Sequence, residues 1–231
     1  MKATFCFIVL LALLAFIPSC IDRVDDNSSI ASTPSKVEIT EPSSTKVSVV
    51  NIGDSGFLSD EPCGPPCFMG MEPGITTKAE ALEILKTRGF LEGCVSLDAY
   101  QAYIARGEGG WSCQTAFSVR YPQNTEIINY IGINLNNAVT LQDIINKLGY
   151  PSFVLVLNTG LPEHPTVQIS LYYSEPRIVI PLGGEFEGFQ FEISQTTLID
   201  SVDYLDLQTL EYHYELFSDE LIAWKGYGIY P

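Results

Sequence analysis

Chemistry in this chain would have to come from its six cysteines, its two histidines or its carboxylates. His164 lies in a loop between Pro162 and Pro165, and His213 lies in an aromatic segment. A lone histidine in such a setting is more often solvated or packed than catalytic. No nucleophile elbow or oxyanion motif accompanies either one. Asp203/Asp206 and Glu185/Glu187 are the kind of carboxylate pair that 28 acidic residues generate by chance. Asp22, Asp25 and Asp26 lack the glycine and terminal glutamate of a calcium loop. No phosphate loop or dinucleotide fingerprint is present. The expectation is therefore no catalytic residue, no cofactor and no metal site.

The cysteines read differently. Cys6 and Cys20 belong to an N-terminal segment that opens with Lys2 and continues as an almost wholly apolar run from Phe5 to Ile17. That run has the length of a signal-peptide core and is short for a bilayer span. Its end, Ile17-Pro18-Ser19-Cys20, resembles a bacterial lipobox, with Pro18 departing from the usual small residue. The resemblance implies cleavage before Cys20 and diacylglycerol on its sulfur. The acyl chains would then hold the protein on a bacterial membrane, at about 0.8 kcal/mol per buried CH₂. Asp22 to Ser48 is rich in Ser, Thr, Pro, Asp and Glu, too polar to offset the entropy of ordering. It reads as a tether of about thirty residues with a reach of roughly 30 Å. The division expected is 1–19 signal peptide, 20–60 tether and 61–231 globular domain. Val47–Ile52 has strand character.

Cys63, Cys67, Cys94 and Cys113 would survive processing. An even number outside the cytoplasm points to two disulfides. Joining Cys63 and Cys67 separately to Cys94 and Cys113 closes the larger loops and is the preferred connectivity. A local Cys63–Cys67 bridge is the alternative. A metal site would take Cys63 and Cys67 as one half and Cys94 and Cys113 as the other, but that second pair is spaced far outside a tight knuckle. A redox site would want Cys-x-x-Cys, which is absent.

The elements that position these residues begin at Pro73-Gly74, a turn. Thr77 and Glu80 form a capping box for a helix over Lys78–Arg88, with Ala81, Leu82 and Leu85 as its apolar stripe. Gly89 suits the left-handed position beyond the helix, and Phe90 would then pack on Leu85. Thr140 and Asp143 repeat the pattern for Leu141–Leu148, followed by Gly149, Tyr150 on Ile145, and Pro151 as a block. The two helices read as a degenerate internal repeat, with sub-units 61–136 and 137–231. After the first, Ser96 caps a short helix, Arg106–Gly110 is a turn, and Trp111–Tyr121 with Glu126–Leu135 form a hairpin. After the second, strands are expected at Phe153–Leu157, Val167–Tyr173, Arg177–Pro181 and Phe186–Ile193. Thr196–Leu205 reads as another strand and Leu207–Phe217 as a helix or an aromatic loop. The aromatics of Trp224–Tyr230 read as a cover for the open end of a sheet, or as a binding lip.

Gly74-Ile75-Thr76 with Ala81, and Leu148-Gly149-Tyr150-Pro151, carry a resemblance to a group of uncharacterised surface lipoproteins. These are similar to the small outer-membrane-assembly lipoproteins of the SmpA/OmlA (BamE) type. The β-lactamase-inhibitor proteins resemble two such units in tandem. The resemblance covers roughly Cys67 to Tyr173. It implies an α+β fold of two helix-then-antiparallel-strand units, the sheet covered by short helices. Its matching residues cap and pack, so it implies little about function.

The formal charge of −16 excludes a phosphate-neutralising surface for nucleic acid. It also disfavours electrostatic docking on anionic lipid. The reading reached is an extracytoplasmic binding or scaffold protein, held to the membrane through Cys20 and able to take a protein partner. An inhibitor of an extracellular enzyme, and a hydrolase using a carboxylate or His213, are the alternatives.

Overall fold

Both capping boxes form, and each starts a helix. Helix α1 spans Lys78–Thr87. Thr77 Oγ1 accepts from the Glu80 N–H at 3.2 Å, and Glu80 Oε2 accepts from the Thr77 N–H at 2.9 Å. The chain leaves α1 as expected: Gly89 has φ +74°, its N–H donates to Lys86 O, and the Phe90 N–H donates to Leu85 O. These are the two bonds of a Schellman ending. The stripe is narrower than expected, because Ala81 and Leu85 are buried while Leu82 is 38% exposed.

The computed structural model describes residues 56–114, 116–158, 166–182 and 191–230. Those residues all lie in one compact unit, Lys46–Pro231. Cys20, the expected tether as far as residue 55, Val47–Ile52, His164, Glu185 and Glu187 lie outside the described residues; of the expected tether's last residues, 56–60, Phe57 is buried in the larger core. After α1 come β1 (Cys94–Ser96), α2 (Gln101–Ile104), β2 (Glu108–Cys113), β3 (Phe117–Pro122) and β4 (Tyr130–Thr140). Then follow α3 (Leu141–Leu148), β5 (Phe153–Asn158), β6 (Val167–Tyr173), β7 (Ile178–Leu182) and β8 (Phe191–Ile193). The chain closes with β9 (Leu198–Leu205), α4 (Leu207–Leu216), β10 (Leu221–Ala223) and β11 (Gly228–Tyr230).

The fold is α+β. Nine strands form an antiparallel sheet in the order β1-β2-β3-β4-β9-β7-β6-β5-β10, and β11 pairs with β8 separately. Strand alternation sorts its side chains. Phe117, Val119, Ile131, Ile133, Ile169, Leu171, Ile178, Ile180, Val202 and Tyr204 join one core with Ala81 and Leu85 of α1 and Leu141, Ile144 and Ile145 of α3. On the opposite face Leu155, Tyr172, Val179 and Leu205 join Leu210 of α4 in a smaller core. Helices thus lie on both faces, but the apolar part of the second face is confined to strands on one side of the sheet.

Four expectations change. Trp111–Tyr121 is itself a hairpin, β2 to β3, because Gln114 takes φ +48° and the Ala116 N–H closes a tight turn on Cys113 O. The Arg106–Gly110 turn is shorter than read, since β2 begins at Glu108. Gly149 is the cap residue of α3, at φ +81° and ψ −163°, so the chain leaves extended. Tyr150 is therefore 69% exposed and stacks on Trp224, centroids 6.4 Å apart, rather than packing on Ile145. Last, the disulfides join Cys63 to Cys67 and Cys94 to Cys113, not the crossed pairs. Pairing of β1 with β2 sets Cys94 directly opposite Cys113. The loop-entropy preference concerned the unfolded chain, and native strand register decides instead.

Candidate functional site

The second face changes character along one cross-sheet row. Paired positions place Ser112, Ser118, Gly132, Asp203, Val179 and Tyr172 side by side. Opposed residues in a sheet share a face. The row is small and polar up to Asp203 and apolar beyond it, where α4 covers it. Asp203 stands at the border.

Three features build the site around that carboxylate. Tyr130 lies along its own strand and donates its hydroxyl to Asp203 Oδ1 at 2.7 Å. It can do so only because residue 132 is glycine, since a Cβ there would fall on the Tyr130 hydroxyl. Arg120, the β3 neighbour of Tyr130, lays its guanidinium 4.3 Å from the centre of the Tyr130 ring and 5.5 Å from that of Tyr103. Such cation–π placement fixes its plane. Asn129, just before β4, donates to Thr209 Oγ1 at 3.2 Å and so ties the sheet to the first turn of α4. Asp206 caps that helix by accepting from the Thr209 N–H at 2.7 Å.

Between these groups lies a cavity of about 370 Å³, lined by Glu108, Arg120, Asn129, Tyr130, Asp203 and His213 among others. Glu108 Oε2, Arg120 Nε and Asn129 Oδ1 are buried and make no hydrogen bond. Each such atom costs on the order of 1–3 kcal/mol, more when charged. A neighbouring cavity of about 280 Å³, lined by Ser112, Ser118, Gly132, Asn134 and Ser201, shares Tyr130 and Asp203 as a wall. Among the described residues no group of His, Cys, Asp and Glu is placed to hold a metal ion.

The electrostatics follow from burial. Burial pushes the Asp203 carboxyl up to about 6, against the opposing pull of the Tyr130 hydrogen bond and the Arg120 charge. Burial also raises Tyr130 well above the ordinary phenol range, so it stays protonated as a donor. His213 is lowered by burial, and its Nδ1 lies 3.3 Å from the Tyr172 hydroxyl. The site thus holds a carboxyl that titrates near neutrality, a fixed guanidinium and a neutral imidazole. It can bind a polar ligand, and it can move a proton.

Of the residues singled out in the sequence, His213 and Asp203 reach this cavity. Asp206 separates from Asp203 and serves as a helix cap. Sequence reasoning passed over Glu108, Arg120, Asn129, Tyr130 and Gly132. Glu108, on β2, and Asn129, before β4, leave no trace; for Arg120, Tyr130 and Gly132 the trace is that polar or small residues fall at alternate positions of β3 and β4. That pattern marks a second face without saying that α4 shuts part of it off. The C-terminal aromatics serve mainly as cover: Tyr230 is buried in the large core, and Tyr227 donates to Gln142 Oε1 of α3 at 3.1 Å.

Compared with known proteins, the chain matches no family model, no curated protein and no solved structure.

Proposed function

We propose that this chain is an extracytoplasmic binding protein, tethered to a bacterial membrane through lipid on Cys20, whose ligand enters the polar cavity between the sheet and α4. The observation that carries the reading is the set of three buried polar atoms, from Glu108, Arg120 and Asn129, that line one cavity without partners. Native interiors pair such atoms, and each exception asks for a reason. A ligand that completes their hydrogen bonds is that reason. The lipobox, the tether-like composition and the two disulfides support the location. In the fold, α1 precedes the meander β2-β3-β4, α3 precedes β5-β6-β7, and the meanders run inward from opposite edges to flank β9. That arrangement supports two related units sharing one sheet.

The test is a thermal-shift screen of the full chain in detergent against a chemically diverse set of small polar compounds. It is repeated on Arg120→Met. Compounds that stabilise the wild type and not the variant support the cavity. If no stabilising compound depends on Arg120, the reading fails.

A hydrolase is the second reading, favoured by one observation. Asp203 and His213 line the same cavity, and burial shifts both, raising the carboxyl and lowering the imidazole. Turnover of a bound compound, abolished in Asp203→Asn while binding persists, would establish it. Binding without turnover would dismiss it.

A further inference from the structure

The unpartnered groups of the cavity are not all of one kind, and their difference specifies a ligand. Glu108 Oε2 is an anionic acceptor, and Arg120 Nε is a cationic donor. Asp203 adds a second carboxylate on the same wall. The described residues form three ion pairs, Lys78–Glu126, Lys147–Asp60 and Arg177–Glu72, and neither Glu108, Arg120 nor Asp203 belongs to any of them. Two carboxylates and one guanidinium therefore line one small cavity with no ion pair among them, the Arg120 charge acting on Asp203 from beyond ion-pair distance. Opposite charges kept apart in this way would be costly if left dry. A purely anionic ligand would meet Glu108 and Asp203 unfavourably, and a purely cationic one would meet Arg120. A neutral polyol would leave the charges uncompensated.

Resting on the binding-cavity reading above, we propose that the ligand is a small zwitterion, a free α-amino acid. Its carboxylate meets the Arg120 guanidinium, whose plane the Tyr130 and Tyr103 rings already fix. Its ammonium meets Glu108 and Asp203, the excess acceptors of the wall. Val179 and Leu205 line the same cavity and offer an apolar surface to a side chain, which favours aliphatic amino acids. The volume of about 370 Å³ lies within the range of small-molecule sites. Tyr130 is central to the arrangement. It supports Arg120 with its ring and holds Asp203 with its hydroxyl, so the two ends of the ligand are set at a fixed separation by one side chain.

The experiment uses the full chain in detergent, with isothermal titration and melting curves. The probes are L-leucine, L-valine and glycine, with N-acetyl-leucine, leucinamide and a neutral polyol, glycerol, as controls. Leucine or valine should bind and raise Tm, while blocking either the ammonium or the carboxylate should weaken binding at least ~10-fold. Glu108→Gln and Arg120→Met should each weaken leucine binding by a similar factor without lowering the Tm of the unliganded chain. Equal binding of the blocked compounds, or no binding by any free amino acid, overturns the proposal. Its failure is distinct from failure of the cavity reading. If other compounds bind in an Arg120-dependent way, the cavity stands and the ligand class is wrong. If nothing binds in that way, both are wrong.

Discussion

Replacing Asp203 by Asn should make the protein more stable in mild alkali and leave it less stable than wild type, or equal, in acid. The folded-state pKa of Asp203 is about 6, above its ordinary 3.8. Relative to its ionised form, such a group adds stability fully below about pH 4 and loses it as pH rises through 6. At about 1.36 kcal/mol per pH unit, the gap amounts to about 3 kcal/mol, of which about 2–3 kcal/mol falls between pH 8 and pH 4. Asn keeps the oxygen that accepts from Tyr130 and removes the charge. The stability of wild type minus that of Asp203→Asn should therefore rise by about 2–3 kcal/mol from pH 8 to pH 4. The wild-type profile alone would obscure this. His213, lowered from its ordinary 6.5 by burial, adds stability above that value and loses it in acid, with the opposite slope. Subtracting the variant isolates Asp203. The assay is urea unfolding followed by the fluorescence of Trp111 and Trp224 at pH 4, 6 and 8, with m checked for constancy. A difference flat to within about 0.5 kcal/mol across that range would mean that the carboxylate is solvated and that the cavity does not shield it.

Two other predictions concern the scaffold. Peptide mapping by mass spectrometry under non-reducing conditions should recover Cys63 joined to Cys67 and Cys94 joined to Cys113; any peptide joining Cys67 to Cys113 would contradict the strand register. Thr140→Ala should cost about 1 kcal/mol in denaturant unfolding, because it removes the hydroxyl that accepts from the Asp143 N–H and donates to the Asp143 carboxyl, leaving only the residue-140 backbone N–H on that carboxylate. No loss at all would mean that α3 is held by Leu141, Ile144 and Ile145 alone.

What could be read from the sequence was local. Thr77 with Glu80, and Thr140 with Asp143, announce helix starts because capping is a bond between residues three apart. Gly89-Phe90 announces an end for the same reason. The apolar positions of β3 and β6 announce strands because alternation is a property of the strand itself. What could not be read was set by pairing at a distance. The choice of Cys94 with Cys113 depends on β1 lying beside β2. The β2–β3 turn, closed by the Ala116 N–H on Cys113 O, falls in a stretch of sequence with no Gly or Pro to mark it. Asp203 looked like one acidic residue among many, since its meaning depends on β4 and β7 beside it and α4 beyond it. Arg120 and Asn129 carry no local mark of a site. Only the return of the chain as α4, some eighty residues after Asn129, encloses them.

That enclosure bears on whether the cavity is an accident of packing. Apolar residues in place of Glu108, Asn129 and Asp203 would extend the smaller core of Leu155, Tyr172, Val179 and Leu205 across the whole second face. Replacing buried charged groups by well-packed apolar ones is often neutral or stabilising by about 1–4 kcal/mol. The chain instead supports the polar set with dedicated parts. Gly132 leaves room for the Tyr130 hydroxyl, the rings of Tyr130 and Tyr103 hold Arg120, and Thr209 takes the Asn129 amide. A solvent-filled defect would need none of these. Supports that hold polar atoms in place while leaving Glu108 Oε2, Arg120 Nε and Asn129 Oδ1 without partners are what a preorganised binding site requires, because the cost of ordering its groups is met before the ligand arrives.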